Sequence, residues 1–67
     1  MTKKEELLID GCKLLKMSKE VTMIMIVCLR TDKQQGMMLD WLKKHHQENP
    51  SEDKILEIAE AIKEQVN

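Results

Sequence analysis

Apolar and polar positions alternate at helical spacing along most of the chain. The exception is 21–29, where Val, Thr, Met, Ile, Met, Ile, Val, Cys and Leu follow one another with Thr22 as the only polar residue. Ahead of that run, at about 100° per residue, Leu7, Leu8, Gly11, Cys12, Leu14 and Leu15 share one broad face. Glu6, Asp10, Lys13 and Lys16 share the other, with Ile9 and Met17 at the margins. Thr2-Lys3-Lys4-Glu5 has the form of a capping box, in which the Thr hydroxyl and the Glu carboxylate satisfy each other's backbone N–H. The pattern predicts a helix over 3–17. Gly11 within its apolar face forfeits about 1 kcal/mol of helix propensity relative to Ala, and close approach of a neighbouring backbone is the expected reason.

The run 21–29 fits either a buried strand or a helix, since a short apolar stretch has no period to separate them. Met23, Met25 and Leu29 dilute its β-branched content, and the chain offers no second strand for it to pair with. Helix over 19–30, capped by Ser18, is therefore expected, the alternative being a strand paired with its counterpart in a second chain. The run is also about half the length a membrane-spanning helix requires, so no membrane span is expected.

Thr31-Asp32-Lys33-Gln34 repeats the capping-box form and predicts a tight connection into a third helix over 32–47. Gln34, Met37, Met38, Trp41, Leu42 and His45 share its inner face. Asp40, Lys43 and His46 point away, Gly36 lies on the outer side, and Leu39 sits near the boundary. Around Pro50, either Asn49 or Ser51 can cap a fourth helix over 50–66. Its apolar face holds Ile55, Leu56, Ile58, Ala59, Ile62 and Val66, opposite Glu57, Glu60 and Glu64. The expected architecture is all-α: one domain, 1–67, a compact bundle of four short helices packed around the apolar second helix.

Sixty-seven residues make a small domain, which buries about 60% of the surface its unfolded chain exposes. A core of that size rarely supplies more than roughly 3–5 kcal/mol, so disulfides, a metal or oligomerisation usually assist it. Cys12 and Cys28 both fall within apolar helical patterns, and two reduced, buried thiols are expected, in keeping with a reducing compartment. The apolar stretch after the amino terminus is broken by Asp10, Lys13 and Lys16, which disfavours a secretory signal. A cytoplasmic location is the corresponding expectation. With a net charge of −1 and 34% charged residues, no global charge draws the chain to nucleic acid or to an anionic membrane.

Candidate chemistry is sparse. His45 and His46 are sequence neighbours and point about 100° apart on a helix, so they cannot share one ion as residues one turn apart can. With Lys43 and Lys44 they suit the negative end of the helix dipole. No Cys or Ser is placed beside a base in the manner of an activated nucleophile, and Gly11 and Gly36 are too isolated to form a phosphate-binding loop. No enzymatic role, metal, cofactor or small-molecule substrate is expected. Nucleic-acid binding is disfavoured, although the 19–47 helix pair has the frame of a helix-turn-helix, with Lys33, Gln34 and Gln35 at the start of its second helix.

What the pattern favours is self-association or a protein partner. Met23, Ile24, Met25, Ile26, Val27 and Leu29 surround the second helix at every angle, and fully burying each is worth roughly 1.5–3 kcal/mol. A chain this small cannot readily cover all of them, and the remainder would form a sticky patch. The six methionines, in a chain without Phe or Tyr, read chiefly as core filler and secondarily as an adaptable binding groove. The expected interface comprises Met23, Ile24, Ile26 and Val27, with Met37, Met38 and Trp41 from the third helix. The expected function is that of a small non-enzymatic interaction or regulatory protein, self-associating through helix–helix contacts.

Overall fold

Each helix begins where a side chain takes over backbone donors that the helix itself leaves open. In a computed structural model, which describes residues 2–65, the helices are α1 (Lys3–Leu14), α2 (Lys19–Cys28), α3 (Asp32–His45) and α4 (Glu52–Gln65). A 3₁₀ turn, His46–Glu48, follows α3. The Thr2 hydroxyl accepts from the Glu5 N–H at 3.2 Å, while the Glu5 carboxylate accepts from the Thr2 N–H. At α3, Thr31 and Gln34 form the same reciprocal pair. Ser18 caps α2 by accepting from Val21 N–H, and Ser51 caps α4 by accepting from Lys54 N–H. Asn49 has a different task. At φ 49° it takes the left-handed conformation that reverses the chain after the 3₁₀ turn, which leaves Pro50 ahead of the α4 cap. Val66, expected on the α4 face, lies outside the described residues.

The helix ends depart further from the periodic pattern than the starts. α1 stops at Leu14 because Lys16 turns left-handed at φ 59°. Met17 N–H then bonds to Cys12 O and Lys16 N–H to Lys13 O, both at 3.0 Å. These are the paired bonds of a Schellman ending, with lysine where glycine is usual. Met17 packs onto the core just beyond it. α2 ends at Cys28, and Leu29 leaves helical geometry (φ −102°, ψ 82°) with its side chain fully buried.

The four helices close a ring: α1 packs on α2 and on α3, and α4 packs on α2 and on α3. α2 and α3, adjacent in sequence, lie on a diagonal and do not pack on each other. The ring encloses Leu8 and Cys12 from α1, Met25 from α2 with Leu29 beyond its end, Met38 and Leu42 from α3, and Ile55, Ala59 and Ile62 from α4. Polar clamps tie the helix starts together. Lys4 Nζ meets Asp32 Oδ2 at 2.6 Å, Gln35 Nε2 donates to Leu29 O at 2.9 Å, and Glu52 accepts from Ser18 N–H at 2.9 Å.

Three local expectations are revised. α2 is not the enclosed centre of the bundle, because a ring of four short helices surrounds a shared axis and not one of its members. Gly11 meets no neighbouring backbone: a Cβ built there would lie 3.6 Å from Leu42 Cδ1, an ordinary van der Waals contact. Of the two free thiols, Cys12 is buried but Cys28 is only partly so.

Candidate protein-interaction surface

α2 owes its orientation to two residues. Met25 and the following Leu29 are fully buried, one turn apart and therefore stacked on the same side of the helix. Cys12 Sγ sits 3.8 Å from Met25 Sδ, and burial raises the Cys12 thiol pKa, partly offset by a hydrogen bond with Thr22. With that side turned inward, the opposite side faces solvent although it is equally apolar. Met23, Ile24 and Val27 are 61%, 50% and 63% exposed. Glu20 and Arg30, also exposed, flank them at the two ends. Neither makes an ion pair among the described residues.

The other residues expected at an interface are dispersed. Ile26 is partly buried against the core, as are Met37 and Trp41, and Met38 is wholly inside it. Trp41 stacks on His45 with ring centroids 4.7 Å apart. Because α2 and α3 are diagonal in the ring, the outward residues of α2 stand alone and do not merge with a methionine surface on α3. Met38 is a core residue for the same reason as Met25: it lies on the side of its helix that faces the ring axis.

A second apolar surface carries no signal in the 21–29 run. Leu7, Gly11, Leu14, Leu39, Leu42 and His46 line an open groove of about 520 Å³ between α1 and α3. Leu14 is its most exposed apolar member, at 85%. The readable sign is the width of the α1 apolar face, six residues wide on a helix that buries only Leu8 and Cys12.

The polar residues weighed for other chemistry are engaged locally. Gln34 and Gln35 are buried; Gln34 accepts from the Arg30 and Thr31 N–H groups, and Gln35 holds Leu29 O. Of the three polar residues that suggested a DNA-reading helix, Lys33 alone stays exposed, and the backbones of the two helices in that pair do not approach each other closely. His45 Nδ1 lies 2.9 Å from Glu48 Oε2 and His46 Nδ1 lies 3.1 Å from Lys43 O. Among the described residues, no three of His, Cys, Asp and Glu are grouped to hold a metal ion, and no helix is long and apolar enough to cross a membrane. No protein family, curated protein or solved structure matches the chain.

Proposed function

We propose that this is a small non-enzymatic interaction protein whose working surface is the outer face of α2, and that it self-associates through that face. The observation carrying this reading is the exposure of Met23, Ile24 and Val27 together on a helix whose opposite side is anchored in the core. Large apolar side chains scattered singly on a surface need no explanation, whereas three adjoining ones do. A regulatory role and a cytoplasmic setting accord with a small chain whose thiols are free, and both belong to this proposal.

Magnitudes define the kind of association. At about half exposure, each of the three side chains has about 1 kcal/mol left to gain from burial, or about 6 kcal/mol across two copies. Association itself costs roughly 4–15 kcal/mol in lost freedom. A standard interface takes about 800 Å² from each partner, about a sixth of the 4814 Å² surface here. A ten-residue helix, about 15 Å long, offers less than that. The expected state is a weak monomer–dimer equilibrium, not an obligate dimer.

Sedimentation equilibrium across a dilution series tests it. Wild type is expected to gain mass with concentration, while Ile24→Glu and Val27→Glu stay monomeric with unchanged helix content. A wild type that remains monomeric into the millimolar range removes the self-association reading.

A further inference from the structure

We infer that two copies pair antiparallel, α2 against α2, with Glu20 of each copy facing Arg30 of the other. The inference rests on the self-association proposed above and adds its geometry. Met23 and Val27 lie two residues before and after position 25, and Glu20 and Arg30 lie five before and after it. Met23 and Val27 are thus evenly spaced about position 25, with Ile24 between them, and the charges at the two ends of this exposed stretch are opposite. A two-fold axis crossing the outer side of α2 at that level brings Met23 of one copy onto Val27 of the next. The acidic start of each helix then meets the cation just past the end of the other.

Such an axis makes the interface isologous, so every contact occurs twice. A parallel pairing would instead set Glu20 against Glu20 and Arg30 against Arg30, like charge on like at both ends. Both residues are exposed and lack an ion pair of their own among the described residues, so neither must break a bond to take up the new one. Among the other charged residues at the helix ends, Lys19 is one residue from Glu20 and therefore turned about 100° away from it. Asp32 is held by Lys4. The pairing depends on one acidic and one basic side chain per copy.

Charge reversal decides it. Dissociation constants are measured by sedimentation equilibrium for wild type, Glu20→Arg, Arg30→Glu and the double variant at low salt, with circular dichroism confirming that each remains folded. Each single reversal replaces two attractive pairs by two repulsive ones, and dissociation is expected to rise about three- to tenfold. The double variant restores opposite charges across the antiparallel pair and is expected to return close to wild type. All four values should converge in 1 M salt, where the screening length shrinks to about 3 Å. A wild-type dimer whose constant is unmoved by the single reversals, or is not recovered in the double variant, overturns the antiparallel arrangement and leaves self-association standing. A wild type monomeric at every concentration overturns both.

Discussion

Gly11 and Lys16 each take a backbone conformation that a different residue type would favour. Gly11 is fully helical, within α1, and needs none of glycine's freedom; the nearest obstacle to a Cβ is a side-chain methyl at ordinary contact distance. Lys16 is the converse. It occupies the left-handed position of a Schellman ending, where a Cβ crowds the following carbonyl. Each is a site where stability is left unclaimed. Gly11→Ala is expected to stabilise the fold by about 0.5–1 kcal/mol through helix propensity. Lys16→Gly should contribute a similar amount, since the relief of left-handed strain exceeds the extra entropy glycine loses on folding. Urea midpoints measured by far-ultraviolet circular dichroism should rise for both, and a drop for Gly11→Ala would show that the α1–α3 packing is tighter than 3.6 Å implies. Neither substitution touches the outer face of α2, so dimerisation should be unchanged.

At the scale of elements, the starts of helices are far more legible than their ends. Thr2, Ser18 and Thr31 cap by bonds to a residue three positions on, so the information is local and lies in a four-residue window. The stop at Lys16 has no such window, because nothing marks a lysine as the left-handed residue; it turns there so that Met17 can reach the core. The outward face of α2 is illegible for another reason. A helix that is apolar all round has no preferred side, and only the ring of neighbours chooses Met25 and Leu29 over Met23 and Val27. Two caps also carry a pH dependence. Glu52, held by the backbone N–H and side chain of Ser18, and Glu5, held likewise by Thr2, both have pKa values below the ordinary carboxylate value. A carboxylate whose pKa falls on folding adds stability at pH above its ordinary range and loses it as pH falls through the lowered folded value. Wild type should therefore weaken progressively below about pH 4.5. Glu5→Gln and Glu52→Gln should each show a smaller difference in urea midpoint between pH 7 and pH 3. An acid slope equal to that of wild type in both variants would place the dependence elsewhere. Glu52 is the more informative of the two, since its bond joins α4 to the start of α2 across 34 positions of sequence.

For the whole molecule, the ring topology decides which apolar residues the fold depends on. α4 packs against both α2 and α3, and its Ile55 is fully enclosed among residues contributed by all four helices. Removing a buried isoleucine down to alanine costs about 2–5 kcal/mol, which is comparable with the roughly 3–5 kcal/mol a core of this size supplies. Ile55→Ala should therefore leave a large fraction of the chain unfolded at room temperature, seen as loss of helical circular dichroism and of any sharp thermal transition. Ile24→Ala makes the opposing case. Its side chain is equally apolar but half exposed, so its loss should lower the stability of the monomer by well under 1.5 kcal/mol. The contrast separates two roles that composition alone cannot. If both variants unfold alike, the outer side of α2 is part of the core, and the chain reaches its folded state only by pairing. If Ile55→Ala unfolds while Ile24→Ala stays helical and loses only its tendency to associate, the ring is self-sufficient. The apolar outer face of α2 is then retained for contact with another molecule and not for folding.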